Sequence, residues 1–580
     1  MATKNDGVTI YAASNKASSS RDGLNESDQE KSPSKGIVEA TAAEHPPSRH
    51  PLLSLFRRKV KKHRSEDIAT QPSIFDDPVK AEQFKPSPKY ENLHRFDPSF
   101  KWTWGEEEKL VKKIDWKVTA WACIAFFALD LDRSNLGQAN TDNFLDDMGF
   151  TTNDYNYGST VRLVSFLLAE LPSQLVSKKI GCSIHISQIP IQMVLWSVVA
   201  GCQFWLRGRS SFLACRALLG LLQGGFIPDL ILYLSYFFKG TELPFRLALF
   251  WMANQLTDVI APLLAYGLLR LRGYHGYEGW RWLFLIEGIL TLAIGIWSWF
   301  MMAPSPTQTK AWYRPNGWFT EREEKILVNR ILRDDPSKGD MHNRQGITFK
   351  MLWKSLADYH LWPIYIIGLT FSIPSGPPGQ YLTLTLRALG FDTFNTNLLT
   401  IPATVISTAN MLVLTYLSEV INQRALLGLL VEVWTLPCVV ALALLPQHTS
   451  RWGSYALVTV LLAHPSPHAM QVGWSSRNSN TVRTRTVSAA VYNICVQLQS
   501  IISANIYRDD DKPLYRRGNR VLIGINCLNI FIYIAVKLYY IFQNKRRDRI
   551  WNAMSPDEQN EYRENTKDEG SKRLDFRFAS

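Results

Sequence analysis

Apolar residues gather in windows near 116–136, 158–177, 184–206, 210–238, 246–269 and 280–302, and again near 360–380, 396–418, 425–445, 452–474, 486–507 and 521–542. Windows of about 20 residues match the length of a bilayer-crossing helix, and in lipid each backbone must satisfy its own hydrogen bonds, which selects helices over barrel strands. The pattern predicts an all-α membrane protein with 12 transmembrane helices. A polar loop over 303–355 divides them into two six-helix bundles, 101–302 and 356–543, arranged by pseudo-symmetry about a central cavity.

The remaining segments are polar. Residues 1–100, rich in Ser, Lys, Glu, Asp and Pro, hold too little apolar surface to offset the entropy of ordering and are expected to form a disordered tail. Residues 544–580 form a basic tail. These stretches explain why a chain of 580 residues has a mean hydropathy of only −0.10. No apolar run follows Met1, so no cleavable signal peptide is expected and the first span serves as the insertion signal. Just before that span, KWTWGEEEKLVKKIDWK mixes Trp with charge, as a helix lying at the interface does.

Cations in short loops set the orientation. The loop after the first span carries Asp142, Asp146, Asp147 and Asp154 and no Lys or Arg, and should face outside. Lys178, Lys179, Lys239, Arg246, Arg424, Arg477, Arg483, Arg485, the central loop and NKRRDR fall on the other side with both termini, the cytoplasmic one. Arg207, Arg209, Arg270, Arg272 and the cations of 508–520 run against the rule.

The net charge of +13 includes RRKVKKHR at 57–64. Such a run binds polyanions of any kind, but beside 12 helices it reads as a headgroup-attracted tail segment, with no nucleic-acid partner. The seven cysteines lie in or beside apolar windows without CxxC spacing, so they read as core residues. His464 and His468 in HPSPH are separated by prolines that forbid a helical metal pair, so no metal is expected. The chain holds no P-loop, GxSxG, HExxH or Ser-His-Asp spacing, so neither enzyme chemistry nor a cofactor is expected.

Charges inside the spans are more informative, because each costs about 2.5–3.5 kcal/mol at membrane depth and needs a partner, a wet cavity or a function. The first helix carries Asp130, Asp132, Arg133 and Asn135, with Asp130 and Arg133 on one face. The second carries Arg162 and Glu170. In RALLGLLQGGFIPD of the fourth, Arg216 and Gln223 share a face, while Gly220 and Gly224 form a stripe for close helix packing. Guanidinium groups at Arg133 and Arg216 suit a carboxylate, sulfonate or sulfate, with Asn135 and Gln223 as further substrate-binding candidates. Asp130, Asp132, Glu170, Asp229, Asp258 and Glu287 are candidates for reversible proton binding.

DRSNLGQAN, LPSQLVSKKIG, RALLGLLQGG, GWRWLFLIEGILTLAIG, WFTEREEKILVNRILRDDPSKGD, SSRNSNTVRTRTVSAAVYN and IYRDDDKPLYRRGNR, in this order over roughly 100–580, resemble the major facilitator superfamily. Within it they are similar to the fungal anion:cation symporter family that includes allantoate permease. The resemblance implies the major facilitator fold and rocker-switch alternating access. It implies a monomeric symporter taking up a small anion with protons across the plasma membrane. The anion would be allantoate or another ureide, a vitamin carboxylate, a sulfonate or sulfate. Arg133 and Arg216 match positions where the wider family places anion-contacting arginines. Gln223 departs from the pattern: some relatives have a titratable Glu there, so coupling in this chain must use another carboxylate or be absent. An exporter of an acidic metabolite and a nutrient receptor without flux are the competing readings.

Overall fold

The computed structural model describes residues 64–579 except 71–72, 78–80, 82–84, 87, 89, 180–181, 241, 340–352, 354–355, 447–448, 480–481 and 567–569. Residues 1–63, most of the expected tail, lie outside the described residues. The first half comprises α1 (Ala120–Ala139), α2 (Thr152–Lys179), α3 (Cys182–Cys202), α4 (Arg209–Gln223, continued by Phe226–Phe237), α5 (Leu243–Leu268) and α6 (Gly279–Met301). The second comprises α7 in three pieces (Trp362–Thr370, Gly376–Gln380, Leu382–Ala388), α8 (Thr393–Ile421), α9 (Arg424–Ala443), α10 in two pieces (Arg451–Leu462, His468–Asn478), α11 (Val482–Ser503) and α12 (Arg516–Ala553). All 12 coincide with the apolar windows.

Six of these segments, in α4, α5, α6, α8, α9 and α12, are long and apolar enough among the described residues to cross a membrane on composition alone. Charges interrupt α1 and α2, while prolines break α7 around Pro374, Pro377 and Pro378 and α10 at Pro465 and Pro467. The HPSPH motif is therefore the break in α10, where His464 Nδ1 meets the Leu461 carbonyl at 2.9 Å. Large apolar side chains such as Leu168, Leu256, Phe531 and Leu538 are exposed on the perimeter, as lipid-facing positions should be.

The end bearing the acidic first loop is held shut between the two halves. Asn156 of α2 donates through Nδ2 to the Tyr507 carbonyl at 2.7 Å and accepts from the Tyr381 hydroxyl. Thr383 Oγ1 donates to the Gly137 carbonyl at 2.9 Å, Asn397 Nδ2 to Thr141 Oγ1 at 3.0 Å and Asn505 Nδ2 to Thr160 Oγ1 at 2.8 Å. Around Asn156, the Tyr155, Tyr381, Tyr507 and Tyr515 rings pack together, with Tyr507 and Tyr515 stacked at 4.4 Å. Among the described residues, Gln255 Nε2 to Thr408 Oγ1 at 3.1 Å, between α5 and α8, is the one hydrogen bond joining the halves away from this end.

At the same end, several arginines that broke the loop-charge rule meet the acidic residues. Arg272 bridges to Asp142 at 3.0 Å and Asp147 at 3.1 Å. Arg209 pairs with Asp154 at 2.9 Å, and Arg517 with Asp510 at 2.6 Å. Their positive charge is locally balanced, which weakens it as a topological signal.

The opposite end is organised within each half. The interfacial helix Trp104–Ile114 begins in a Thr103–Glu106 capping box, and a helix in the central loop, Glu321–Asp334, in a Thr320–Glu323 box. Glu107 binds Lys239 Nζ at 2.5 Å and accepts from Trp102 Nε1 at 2.7 Å. Arg330, 1 % exposed, reaches Glu242 and approaches Glu107 at 3.9 Å. Residues 64–100 also depart from the expected tail in part: Phe75 and Tyr90 pack on Val328 and Leu332 of the central-loop helix, and Arg95 bridges to Glu324 at 2.9 Å. Enough apolar surface sits at the end of that polar stretch to anchor it once this helix supplies a partner face.

In the second half, α12 runs ten residues past its predicted boundary at 543, to Ala553. The chain then returns to pack under the bundle: Trp474 Nε1 donates to the Ala579 carbonyl at 2.7 Å, and Arg547 to the Ser571 carbonyl at 2.7 Å.

Two outcomes follow. Asn156→Ala removes both arms of its tie, so a cysteine placed at Ser159 in a background without native cysteines should react faster with an impermeant maleimide added from the first-loop side; unchanged labelling would assign the closure to other contacts. Burial pushes the Glu107 carboxyl up, but Lys239 and Arg330 outweigh it and hold it below the ordinary value of 4.5. Its contribution is thus complete above 4.5 and is lost as pH falls through the lowered value. Limited proteolysis of the central loop should accelerate on acidification, and Glu107→Gln should remove that part of the pH dependence.

Candidate functional site

The site is built on the contact between α2 and α4. A Cβ on Gly220 would lie 2.3 Å from the Arg162 carbonyl oxygen, and one on Gly224 would lie 2.6 Å from that of Phe166. Only glycine permits this approach, and it sets Arg162 of α2 near Arg216 of α4. The glycine stripe expected for helix packing thus has a second effect: it assembles two guanidinium groups.

Arg133 joins them from α1. Its guanidinium lies over the Phe166 ring at 4.9 Å, with Asp130 and Glu170 nearby, and Arg162 faces both Arg133 and Arg216. Arg216 is 2 % exposed, 6.0 Å from the Phe212 ring and beside Tyr155 at the base of the tyrosine cluster. Among the described residues no carboxylate comes within salt-bridge distance of any of the three. Buried Nε of Arg133 and both Nε and Nη1 of Arg216 have no hydrogen-bond partner. Asn135 and Gln223, 0 % and 1 % exposed, likewise leave both side-chain polar atoms unpartnered.

The six proton-binding candidates separate into three places. Asp130, Glu170 and Asp258 belong with the arginines: Asp130 lies near Arg133, Arg162, Asn254 and Asp258, and Glu170 near Arg133. Asp132 and Glu287 lie on a different face of the first bundle, buried to 1 % between α1 and α6 and beside Trp196 of α3. Asp132 faces Thr291 of α6 and Trp196 of α3, and among the described residues no cation pairs with either carboxylate. Asp229 is buried and partnered in the second segment of α4.

Arg162 is the residue of this cluster that sequence reading did not assign. Its presence in α2 was visible, but on an isolated helix nothing sets it opposite Arg216; the signal was the glycine spacing on α4, read for packing alone. Glu432 of α9, 1 % exposed in the second bundle, was not singled out at all, because a lone acid among apolar residues gives no indication of its partner.

Comparison with known proteins agrees with this architecture. Residues 122–504 match the family model of the Major Facilitator Superfamily. The chain is 48 % identical over 519 residues to the Saccharomyces cerevisiae protein named "Uncharacterized transporter YIL166C", covering 89 % of this chain and 95 % of that one. It is 30 % identical over 233 residues to an Agrobacterium vitis protein provisionally named as a tartrate transporter, covering 40 % of this chain and 51 % of the relative. In fold it is similar to the inward-facing, occupied crystal structure of a bacterial homologue of the human lysosomal transporter Spinster, with a TM-score of 0.54 at 14 % identity over 72 % of this chain and 96 % of that one. A two-bundle helical frame, the family match over most of that frame and a relative alike over nearly its whole length lead to one conclusion: this chain belongs to the major facilitator superfamily and is a multi-pass secondary transporter of a small molecule.

Proposed function

We propose that the transported molecule is a small anion, taken up with protons across the plasma membrane by a monomer with both termini in the cytoplasm. The observation that carries this reading is the cluster of Arg133, Arg162 and Arg216, none held in a salt bridge among the described residues. Three guanidinium groups near one another at membrane depth repel, and burial weakens their hydration. An anion entering between them relieves both costs, and the planar fork of arginine matches a carboxylate, sulfonate or sulfate. Asn135 and Gln223 supply neutral donors and acceptors for the rest of the solute. Allantoate or another ureide, a vitamin carboxylate, a sulfonate and sulfate all fit this chemistry, as does tartrate, the solute in the name of the Agrobacterium vitis relative.

Gln223 cannot titrate, so coupling falls to a carboxylate that shares the arginine cluster. Glu170 is well placed, since it faces Arg133. Protonation of Glu170 would remove the fixed charge opposing an incoming anion at Arg133, whereas its ionised form competes with that anion. This reciprocal occupancy of one guanidinium couples proton binding to anion binding, as symport requires.

Uptake of labelled ureide, vitamin carboxylate, sulfonate, sulfate and tartrate by cells expressing the protein, with and without a proton uncoupler, tests the proposal. Saturable uptake of one of these anions, abolished by uncoupler, is expected; efflux driven by the same gradient would reverse the direction, and a cationic or neutral substrate would overturn the site. Arg216→Lys keeps the charge but loses the fork, and should cut uptake at least tenfold while the protein still reaches the membrane. Glu170→Gln should abolish gradient-driven accumulation yet preserve exchange of labelled for unlabelled substrate. Normal accumulation in that variant would move the coupling role to Asp130 or Asp258.

A further inference from the structure

The second bundle holds a polar group that the anion site does not use. Glu432 of α9 is 1 % exposed and meets Asn529 of α12, also 1 % exposed, with Asn529 Nδ2 donating to Glu432 Oε1 at 3.3 Å. The same Nδ2 donates to the Thr370 carbonyl at 3.0 Å. Two acceptors around one atom fix the carboxamide orientation, since a flipped Asn would turn its oxygen toward both. That orientation leaves Asn529 Oδ1 and Glu432 Oε2 buried without hydrogen-bond partners.

Both orphaned atoms belong to a pair already joined through its other arm. A neutral carboxylic acid and a primary amide satisfy each other cyclically: the amide N–H donates to the acid carbonyl, and the acid O–H donates to the amide oxygen. One proton is the piece that completes this arrangement. An ionised Glu432 would instead set a charge in the bundle interior without a counter-ion. Among the described residues no Lys or Arg pairs with it. Tyr533 of α12 is the titratable group that faces it, and its hydroxyl is engaged by Gln471 of α10 at 2.5 Å. His464 and His468 of α10 are turned to the Leu461 carbonyl and to Tyr492. From α8 the contact is apolar, through Leu414 and Leu417, and α7 presents the Thr370 carbonyl.

We propose that Glu432 is a proton-binding site in the second bundle, holding a neutral carboxylic acid whose O–H donates to Asn529 Oδ1. The site is separate from the arginine cluster and does not depend on which solute is carried. Through Asn529 it reaches the break in α7. An α-helical partner for the Thr370 carbonyl would be the N–H of residue 374, which is Pro374 and has none. Asn529 supplies a donor there beside the tight turn from Ile373 N at 3.2 Å. Asn529 Nδ2 thus links α9, α12 and the break in α7, and the bound proton adds a second arm between α9 and α12.

Infrared spectroscopy of the purified full-length protein tests this through the carbonyl stretch of a protonated carboxylic acid. At neutral pH the wild type should show a hydrogen-bonded acid band that disappears in Glu432→Gln, a variant able to keep both arms of the pair as an amide dimer. Asn529→Leu, which removes the partner and leaves the acid, should shift that band to the higher frequency of a free acid carbonyl, and serves if the first variant is not recovered. Thermal unfolding adds a second readout: raising the pH should destabilise the wild type more than Glu432→Gln. A spectrum whose acid bands are unchanged in both variants, or equal pH dependence of unfolding in wild type and Glu432→Gln, would overturn the assignment.

Discussion

Charge without a fixed counter-charge at membrane depth is the constraint around which this molecule is organised. Arg133 and Arg162 have acids in their neighbourhood, yet among the described residues none of Arg133, Arg162 and Arg216 is within salt-bridge distance of one, and Arg216 is almost fully buried. Such an arrangement is stable only where water or a solute can reach it, at a cost otherwise of about 2.5–3.5 kcal/mol per charge on insertion scales. The helix packing serves that requirement. Gly220 and Gly224 bring α2 against α4 and gather the cations, and the tyrosine cluster around Asn156 separates them from the acidic-loop end.

The two ends of the molecule are held by different physics. At the acidic-loop end the ties between halves are mostly neutral hydrogen bonds and aromatic contacts, each worth roughly 1 kcal/mol, joined by the charge-assisted Arg387–Asn143 and Thr152–Asp509 hydrogen bonds. Contacts of that size can be exchanged within a transport cycle. At the other end the strong interactions stay within a half: Glu107, Lys239, Arg330 and Glu242 bind the interfacial helix and the central-loop helix to the first bundle, while Trp474 and Arg547 capture the returning chain under the second. Among the described residues no ion pair joins the two halves. Among the described residues, Gln255–Thr408 between α5 and α8 is the one hydrogen-bonded connection left in that region.

Much of this was legible from the chain. Helix positions follow from window length, because lipid enforces apolar runs wherever a helix faces it. The charges marked α1, α2 and α4 as special for the same reason. What stayed hidden was which faces meet. Asp130 and Asp132 are two residues apart, so they point in different directions: one toward Arg133 and the other toward Trp196 and Glu287, and a list of six carboxylates could not separate them. The loop-charge rule faltered at Arg209 and Arg272 because pairing with Asp154, Asp142 and Asp147 cannot be read from a count of cations. The polar stretch ending at residue 100 looked unable to order because its partner surface, Val328 and Leu332, lies more than 200 residues away.

The two uncompensated acid groups outside the arginine cluster occupy corresponding places in the repeat. Asp132 and Glu287 lie between α1, α3 and α6; Glu432 and Asn529 lie where α9 and α12 meet the carbonyl at the break in α7. Adding six to each helix number of the first set gives the second, as two halves related by pseudo-symmetry require. The chemistry has diverged within that frame. The first half keeps two carboxylates and the indole of Trp196, whereas the second replaces one acid with an amide, which can accept a proton's hydrogen bond without titrating. Each half thus carries an acid outside the arginine cluster, between helices that pack within that half. A change of protonation there would alter how a bundle holds together, whereas protonation at Glu170 would alter what the arginines can bind.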